Sequence, residues 1–441
     1  MANILLLGAG FVTGPLVEYL HAKNHHITVG SQFLYEAEEL VGGRDRLTPL
    51  QVDVTNEAEM RELVKEADLV VSFVPFQFHV SVAKICVAEK TSMVTASYTH
   101  EDMWKLDEAA KEAGITILNE IGVDPGIDHM TAMQVIDEAH EQGSKVEALV
   151  SWCGGIPAPE ANNNPLGYKF SWSPMAVLSA VSNDAYYLRR GEKKSIPGDD
   201  LLNSMRDVTL TSEMDLKGYA NRDSLGYKED YRIPEVQTLL RGTLRYAGFG
   251  PVIDSAKRVG LLSAQPFADK APASWQELMS SLSGVEPEQL GEKLVDNQSV
   301  NDSFAWLGCF SDEQVKGNSP IEAFCNLLTD KLKYENDEQD MIVMQHRLVL
   351  VDEKGNKTFH RSTLIEKGDV GGYSAMAKTV GYPAAIAADL LLSGKITRKG
   401  VCIPVTQDIY EPVLEELEKL NIKMTEEIIT SQNEESFLNH L

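Results

Sequence analysis

The sequence predicts an α/β protein that begins with a parallel β-sheet covered by helices. Strand and helix patterns alternate with short connections through residues 1–120, which is typical of such a sheet. A glycine turn follows the first strand pattern. Beyond residue 130 the alternation stops, and a β-hairpin pattern and a long helical stretch predict a second, mixed α/β region with a smaller helical one.

Six short apolar runs in the first region predict strands, which is enough for a complete dinucleotide-binding fold. Helical patterns fall between them. In the pattern over Glu57–Glu66, Asn56 is placed to cap the helix and Glu59 lies in its first turn. The predicted strands are Asn3–Leu7, His26–Gly30, Leu47–Gln51, Leu69–Ser72, Ser92–Thr95 and Thr116–Leu118.

The glycine turn after the first strand is the first candidate for a ligand contact. Gly8 and Gly10 form G-x-G and are followed by Phe11, where backbone amides at a helix N-terminus bind a pyrophosphate. Thr13 occupies the third glycine position of the fingerprint, and Gly14 comes one place late. A tight turn without a ligand is the alternative, but the strand before it and the helix after it favour a nucleotide.

The end of the second strand bears on which nicotinamide cofactor is used. An acidic residue there binds the adenosine ribose of NAD, whereas an arginine pairs with the 2′-phosphate of NADP. This chain has Gly30, Ser31 and Gln32, so it carries neither group at these positions. The lack of an acid favours NADP, and NAD stays open.

Polar residues follow two later strands, where ligands meet open parallel sheets. Ser97 and Tyr98 follow the fifth strand, and Asp124 follows the sixth, with Pro125 after it. Asp124 would also suit the N-cap of a helix that starts at Pro125. Tyr98 would equally suit a half-buried aromatic with a satisfied hydroxyl.

A long irregular segment follows the predicted helix Met130–Gln142 and the strand Val146–Trp152. This segment, Cys153–Pro174, is rich in glycine, proline and asparagine and has no periodicity. Long ordered loops usually serve a site, so we expect this one to line a binding cleft.

Three arginines stand out in an otherwise acidic chain. Arg222 lies in the tract Gly218–Lys228, and Arg241 and Arg245 lie in the tract Arg241–Phe249; both tracts predict strands or loops. Guanidinium groups pair with carboxylates at two points, so a polycarboxylate substrate would suit them. Structural ion pairs are the alternative for each arginine.

The remaining segments predict the rest of the second region. A helical insert covers Val252–Lys333, and a hairpin covers Asp340–Thr363 around a turn at 353–356. An apolar helix from about residue 371 is expected to be interrupted at Gly381 and Pro383, and a last helix covers Pro412–Leu420.

Composition narrows the classes of partner. A formal net charge of −26 argues against nucleic acid and anionic membranes, because like charges repel. Five scattered cysteines lack metal-type spacing, so a reducing compartment and no metal site are expected. The first strand begins at once and no apolar run is long enough to span a bilayer, which predicts a cytoplasmic protein without a signal peptide.

Taken in order, several motifs resemble saccharopine reductase, the family of L-glutamate-forming saccharopine dehydrogenases in the aminoadipate route of lysine metabolism. The resemblance runs over nearly the whole chain. The motifs are GAGFVTGP, TASY, NEIGVDPGIDH, SWCGGIPAPEANNNPLGYKFSWSP, NRDS, RGTLRY and GGYSAMAKTVG.

The resemblance implies three domains and a homodimer. A Rossmann-like domain is expected over residues 1–125, joined by C-terminal helices at about 371–441. A substrate-binding and dimerisation domain is expected over 126–251 and 334–370, and a helical insert over 252–333. The implied reaction interconverts saccharopine with L-glutamate and 2-aminoadipate 6-semialdehyde by hydride transfer with a nicotinamide cofactor.

The resemblance also assigns residues. Asp124, Tyr98 and Cys153 would lie at the reaction centre, where they assist and order a water. Substrate contacts would fall on Ser97, Tyr98, Asp124, Arg222, Thr243, Leu244 and Arg245. Cofactor contacts would fall on Gly8, Gly10, Phe11, Val12, Ser31, Gln32, Asp53, Val54, Val74, Ala96, Ser97, Val123 and Ser173. The loop Cys153–Pro174 would form the floor of the cleft. Gln32 stands where the family usually has an arginine for the NADP phosphate; NADP is still preferred because no acid stands there, but this departure leaves NAD possible.

Two other functions compete with this one. A carboxynorspermidine-type reductase would share the fold but would bind a polyamine-like cation, for which the arginine tracts are ill suited. A non-catalytic nucleotide-binding or dimerisation module would bind the cofactor without turning over saccharopine.

Overall fold

The computed structural model describes residues 1–210, 214–268, 271–430 and 433–438. Through residue 144, strands and helices alternate as the sequence predicts. They are β1 (Asn3–Leu7), α1 (Gly14–Ala22), β2 (His26–Ser31), α2 (Leu34–Val41), β3 (Leu47–Gln51), α3 (Glu57–Glu66), β4 (Leu69–Ser72), α4 (His79–Glu89), β5 (Ser92–Val94), α5 (Glu101–Trp104), α6 (Asp107–Ala113), β6 (Thr116–Leu118) and α7 (Ile127–Glu141).

The later elements include both long strands and helices. Residues 145–371 contain β7 (Lys145–Pro157), α8 (Pro174–Ala180), β8 (Ala185–Arg189), β9 (Glu192–Ile196), β10 (Arg206–Thr209), β11 (Asp215–Ala220), α9 (Tyr227–Asp230), β12 (Thr238–Tyr246), α10 (Phe249–Val259), α11 (Trp275–Ser283), α12 (Leu290–Lys293), α13 (Gln298–Leu307), α14 (Pro320–Lys331), β13 (Asp340–Val351) and β14 (Lys357–Lys367). The last elements are α15 (Ala375–Leu392), β15 (Gly400–Cys402), α16 (Gln407–Lys419), β16 (Thr425–Ile429) and α17 (Glu434–Phe437).

The chain forms two compact units, and the first consists of residues 1–144 and 372–426. Its seven-stranded sheet has the order β15-β6-β5-β4-β1-β2-β3, and every pairing in it is parallel. The predicted Rossmann-like sheet is confirmed. Its six predicted strands are found within one residue of their expected ends. The Asn56 side chain caps α3 by accepting a hydrogen bond from the Glu59 amide at 3.4 Å.

The second unit consists of residues 145–371 and 427–441. Its mixed sheet has the order β10-β11-β12-β7-β13-β14-β16, and β8 and β9 branch from β12. Residues of the sheet and of α10–α14 share one hydrophobic core, so the helices of the predicted insert bury their apolar sides with the sheet. The predicted hairpin is confirmed as β13 and β14. The predicted three-part division stays a prediction.

The Trp152 side chain shapes the centre of the second sheet. Trp152 is fully buried on β7, and a Cβ at Gly242 on β12 would lie 2.2 Å from its ring. Gly218 on β11 is in the same situation, at 2.6 Å. Glycine at these two positions therefore makes room for an indole lying across three strands.

Three expectations about element ends are wrong. Residues 153–157 are not loop but the end of β7, because β13 pairs with them on one side and Cys153 also pairs with β12. The glycine that suggested a loop is required in the strand, since a Cβ at Gly154 would lie 2.8 Å from the Leu244 carbonyl oxygen. The loop proper is therefore residues 158–173.

The C-terminal helices also differ from expectation. Helix α15 is uninterrupted through Gly381 and Pro383. Most of its residues are buried, and this packing offsets the backbone hydrogen bond that a proline cannot donate. Helix α16 begins at Gln407, five residues before the expected start at Pro412. Among the described residues, no helix has the length and apolar character needed to cross a bilayer.

Candidate active site

The carboxyl edge of the first sheet gathers the predicted cofactor contacts of that unit. The strand order reverses between β1 and β4, and ligands of open parallel sheets bind at such a reversal. The carboxyl ends of all strands in a parallel sheet lie at the same edge, so residues that are far apart in sequence come together there. The predicted residues following strands at this edge are Gly8, Gly10, Phe11, Val12, Gln32, Asp53, Val54, Val74, Ala96, Ser97 and Val123; Ser31 is the last residue of β2.

The turn after β1 has the shape that a pyrophosphate requires. Gly8 has a φ of +109°, and a Cβ there would lie 2.7 Å from the Phe73 carbonyl oxygen, so only glycine fits. Beside it, Gly10 has open space within 4 Å of where a Cβ would sit. Among the described residues, the amides of Phe11 and Val12 donate to no acceptor. The turn and the N-terminus of α1 therefore fit the phosphates of a dinucleotide.

The displaced third glycine of the fingerprint has its own packing role. Thr13 is buried, and its hydroxyl donates to the Gly10 carbonyl at 2.8 Å, which tightens the turn. A Cβ at Gly14 would lie 2.5 Å from the Tyr373 ring, and one at Gly381 would lie 2.7 Å from the Val12 carbonyl. The close approach of α1 is therefore to α15 of the same unit.

The end of β2 carries an acid that sequence reasoning missed. The Ser31 hydroxyl donates to Glu36 Oε2 at 2.6 Å, and the Gln32 carbonyl accepts from Gln51 at 3.2 Å. No lysine or arginine occurs in residues 31–43. Glu36 lies five residues after Ser31, the strand end at which an acid would indicate the cofactor. The first turn of α2 places the Glu36 carboxylate beside Ser31. A carboxylate therefore lies where this fold class binds the ribose 2′ position.

The other predicted cofactor residues of this unit differ in whether a ligand could reach their side chain or only their backbone. The Asp53 carboxylate is exposed and accepts two hydrogen bonds from Thr55, at 2.9 and 2.7 Å, which lower the pKa of Asp53. Val54 and Val74 pack partly against the core beneath the edge. Val123 is buried, so its backbone is the part that a ligand would reach.

The ends of β5 and β6 are joined by a side-chain network that includes two predicted catalytic residues. The Tyr98 hydroxyl donates to Asp124 Oδ1 at 3.1 Å. The Thr99 amide donates to Glu120 Oε1 at 2.8 Å, and His129 Nε2 lies 2.8 Å from Glu120 Oε2. Burial alone would raise the pKa of Glu120, but the hydrogen bond and charge of His129 outweigh burial and lower it. The ionised Glu120 thus holds the segment carrying Tyr98 beside Asp124.

The interpretation of Asp124 as a helix cap is wrong. Helix α7 begins at Ile127, and Gly126 occupies its N-cap position. The Asp128 side chain accepts from the Gly126 amide at 2.6 Å, so Asp128 satisfies this helix end. Asp124 instead accepts the Tyr98 hydroxyl, which leaves its carboxylate in the polar cluster at the sheet edge.

A buried histidine links two serines at the same edge, and sequence reasoning assigned it no role. The Ser72 hydroxyl lies 2.9 Å from His79 Nδ1, and the Ser97 hydroxyl lies 2.8 Å from His79 Nε2. Burial lowers the pKa of His79 to about 4. Ser97, a predicted contact of both cofactor and substrate, is therefore held by a neutral imidazole.

The second unit brings together three of its predicted residues on one face of the sheet. Cys153 on β7 is in register with Thr243 on β12, and Arg245 lies two residues further along the same strand. Alternate residues of a strand share a face, so these side chains point to the same side. Leu244 points to the opposite side and is fully buried in the core, so only its backbone could contact a substrate.

The Arg245 guanidinium is buried without a carboxylate partner among the described residues. It is 6% exposed, and its carbon lies 5.0 Å from the Tyr168 ring centre and 5.3 Å from that of Phe249. One nitrogen donates to the Leu244 carbonyl at 2.8 Å, whereas the buried Nε has no hydrogen-bond partner among the residues that the structure describes. A buried cation without a counter-charge costs several kcal/mol. An anionic ligand would offset this cost.

The other two arginines differ from Arg245. Arg222 is exposed, follows β11 and has a φ of +51°. Lys217 on β11 pairs with Arg245 on β12. Arg222 lies five residues after Lys217, which corresponds to about 17 Å along an extended strand. The Arg241 guanidinium is buried over the Tyr227 ring and donates to its hydroxyl. Arg222 and Arg245 thus lie at opposite ends of the strand pair.

The loop of residues 158–173 is fixed to the rest of its unit by polar side chains. Lys169 and Asn163 both donate to Glu338, at 2.5 and 2.7 Å, and Asn164 Oδ1 accepts from the Leu166 amide at 3.1 Å. This loop places Tyr168 under Arg245. Ser173 is exposed and caps α8 through the Ala176 amide at 3.4 Å. Its contact with a cofactor, and the position of the loop as a cleft floor, stay predictions.

Two family models match the chain. Residues 4–118 match the saccharopine dehydrogenase NADP binding domain, and residues 122–422 match the saccharopine dehydrogenase C-terminal domain. The chain is 38% identical to the NADP(+)-dependent, L-glutamate-forming saccharopine dehydrogenase of Pyricularia oryzae, covering 97% of this chain and 99% of that protein. It is 40% identical to the mitochondrial alpha-aminoadipic semialdehyde synthase of Mus musculus, covering 94% of this chain but 46% of that protein.

The fold comparison agrees with the sequence comparison. The apo structure of the L-Glu-forming saccharopine dehydrogenase from Saccharomyces cerevisiae superposes with a TM-score of 0.87 at 36% identity, covering 97% of this chain and 100% of that one. A carboxynorspermidine synthase of Vibrio cholerae is 24% identical over an alignment that covers 44% of this chain. The chain belongs to the family of L-glutamate-forming saccharopine dehydrogenases.

Proposed function

We propose that this protein interconverts saccharopine with L-glutamate and 2-aminoadipate 6-semialdehyde, with NADP as the hydride carrier. The observation that carries the proposal is the similarity to the fungal enzymes over the full chain, because each unit alone would fit several reactions. The glycine turn fits the cofactor phosphates, as do the amides of Phe11 and Val12 before α1, which have no acceptor among the described residues.

Substrate recognition rests on the arginines of the second unit. Saccharopine carries three carboxylates, and Arg245 offers a desolvated guanidinium whose charge no described carboxylate balances. Arg222, at the other end of the strand pair, binds a second carboxylate of the elongated substrate. Thr243 and Cys153 lie on the same sheet face as Arg245 and contact the atoms between these carboxylates.

Reaction at the secondary amine requires that the substrate be positioned correctly and that protons be transferred. The turn at Gly8 and Gly10 would hold NADP, which would supply the hydride acceptor for the substrate carbon that becomes the aldehyde. A water must then add to the carbon of the resulting imine and lose a proton. The carbon–nitrogen bond breaks as the nitrogen takes up a proton and leaves as the amine of L-glutamate, and the carbon becomes the aldehyde carbonyl. The Tyr98 hydroxyl and the Asp124 carboxylate, 3.1 Å apart, order this water, and the carboxylate takes up its proton and returns it to the departing amine. The resemblance adds Cys153 as an assisting residue.

The competing functions fit the site less well. A polyamine-like cation would meet the buried positive charge of Arg245 and be repelled by it. A non-catalytic nucleotide-binding module would have no use for an unbalanced buried guanidinium, which costs stability unless an anion is bound.

The homodimer is proposed from the resemblance alone, and the cytoplasmic location from the cysteine pattern, which fits a reducing compartment. Small-molecule substrates are implied by the family. The net charge of −26 argues against nucleic acid as a partner.

The proposed function is tested by initial rates of saccharopine oxidation with NADP and NAD side by side, together with titration of each reduced cofactor by fluorescence. We expect turnover with NADP. Cofactor binding without saccharopine oxidation would favour the non-catalytic module, and turnover of a polyamine-type secondary amine alone would favour the rival reductase.

A further inference from the structure

The link between Ser72, His79 and Ser97 is buried and spans two neighbouring strand ends of the first unit. Ser72 ends β4, Ser97 follows β5, and His79 begins α4. Ser72 is 1% exposed and His79 is 3% exposed. The two distances, 2.9 and 2.8 Å, are those of full hydrogen bonds.

The partners of Ser72 and His79 determine which group donates each hydrogen bond in this link. Among the described residues, the Ser72 hydroxyl has no partner other than His79 Nδ1. A buried hydroxyl proton without an acceptor is costly, so the Ser72 hydroxyl donates and Nδ1 accepts. The pKa of His79, lowered by burial to about 4, means that the ring is neutral near pH 7. A neutral imidazole carries one N–H, which must then be on Nε2.

The Nε2–H group donates to the Ser97 oxygen, and this determines what Ser97 offers to a ligand. Its oxygen is occupied as an acceptor, whereas its hydroxyl proton has no acceptor in the described part of the chain. Its backbone is held on both sides: the Ser97 amide donates to Thr95 Oγ1 at 3.3 Å, and the Ser97 carbonyl accepts from the backbone amide of Glu120 at 3.1 Å. Ser97 is partly exposed at the carboxyl edge of the sheet.

We propose that His79 is a positioning residue that, together with Ser72, fixes the Ser97 hydroxyl as a hydrogen-bond donor to an acceptor oxygen of the bound ligand. That oxygen belongs to a carboxylate of the substrate or to the carboxamide of the nicotinamide. The identity of these ligands rests on the proposed function, whereas the direction of the link does not.

The direction is tested by NMR of the full-length protein with 15N-labelled histidine, without ligand, at pH 7. Long-range 15N–1H spectra distinguish the two neutral tautomers and the cation, and the His79→Gln variant identifies the His79 signals by their loss. The expected result is a neutral ring protonated on Nε2. A ring protonated on Nδ1, or on both nitrogens, would overturn the proposal, and saccharopine turnover plays no part in this reading.

The positioning role is tested with a matched pair of variants. In His79→Gln the amide N–H₂ replaces Nε2–H and still reaches Ser97, whereas in His79→Asn the shorter amide reaches Ser72 instead. Loss of a hydrogen bond to a charged or polar oxygen weakens binding by about 10- to 100-fold. We expect this loss in His79→Asn and Ser97→Ala, and near wild-type binding in His79→Gln.

Two binding measurements separate the sources of the acceptor oxygen. A higher Kd for NADPH places it on the cofactor, and a higher KM for saccharopine with an unchanged NADPH Kd places it on the substrate. The double variant His79→Asn/Ser97→Ala should be no worse than Ser97→Ala alone, because both changes remove one interaction. Additive losses, or equal losses in the Gln and Asn variants, would show that His79 acts only in folding. If His79→Asn fails to fold, Ser72→Ala provides the same comparison.

Discussion

Replacing Arg245 with methionine separates its role in binding from any role in folding. The Met side chain keeps the apolar contact with Tyr168 and Phe249 but removes the charge. Two charge-assisted hydrogen bonds to a carboxylate contribute about 3–4 kcal/mol together. The value of kcat/KM for saccharopine should therefore fall by about two to three orders of magnitude.

Stability should behave differently from activity in this variant. The buried charge costs several kcal/mol, and two cation–π contacts return about 1–2 kcal/mol each. These terms nearly cancel, so the free energy of unfolding should change by about 1 kcal/mol or less and Tm by only about 3 °C. A loss of activity without a loss of stability is the signature of a binding group.

The assay combines initial rates with thermal melting, with and without saccharopine. Saccharopine should raise the Tm of the wild-type protein and not that of Arg245→Met. Arg190→Met is the matched control, because Arg190 belongs to the same unit, is 69% exposed and pairs only at the surface with Glu435 at 3.2 Å. Unchanged kcat/KM in Arg245→Met, or a Tm lower by about 10 °C or more, would refute the reasoning.

Four further variants test other parts of the site. Tyr98→Phe and Asp124→Ala should each lower kcat by about 10- to 100-fold, because they help order a water; a loss beyond about four decades in Asp124→Ala would identify an obligatory acid or base. Glu36→Gln should raise the ratio of kcat/KM for NADP to that for NAD by about tenfold, since a carboxylate repels a 2′-phosphate by about 1–2 kcal/mol near the surface; an unchanged ratio would place the 2′ group elsewhere. The pKa of His79 is about 4 in the folded protein and 6.5 in a free side chain. As the pH falls, the unfolded chain therefore binds a proton before the folded protein does. The contribution of His79 to the free energy of unfolding is fully present above pH 6.5 and falls by about 3 kcal/mol toward pH 4. Urea unfolding at pH 7 and 4.5 should show this loss in the wild type and less of it in His79→Gln; equal losses in both proteins would contradict the assignment.

Local patterns were sufficient to predict six of the seven strands of the first sheet, whereas β15, near the C-terminal end of that unit, was not predicted. Each of the six is a short run followed by a turn signal, and their parallel order follows from the helices between them. The turn at Gly8 was predictable because G-x-G lies between a strand pattern and a helix pattern. The positive φ of Gly8 agrees with this prediction.

The second unit shows where local patterns mislead. Gly154 and Gly155 look like loop residues in sequence, but in the structure Gly154 is required by the packing of Leu244 on the neighbouring strand. Pro383 looks like a helix end, but most residues of α15 around it are buried and the helix continues. Both signals were correct as local propensities and were overridden by tertiary contacts.

The side chains missed at the site share one property. Glu36 reaches Ser31, His79 reaches Ser72 and Ser97, and Glu120 reaches Thr99 and His129, each across a turn or from a neighbouring strand. No spacing rule covers these contacts, because they depend on how the strand ends meet. The unbalanced charge of Arg245 likewise became visible only with the burial of its guanidinium.

The most direct test of the proposed function is the product stoichiometry of saccharopine oxidation. Oxidation of the carbon on one side of the secondary amine releases L-glutamate and the semialdehyde, whereas oxidation on the other side releases lysine and 2-oxoglutarate. Purified full-length protein with saccharopine and NADP should form one L-glutamate for each NADPH. NADPH accompanied by lysine and 2-oxoglutarate, or no NADPH or NADH with either cofactor, would contradict it.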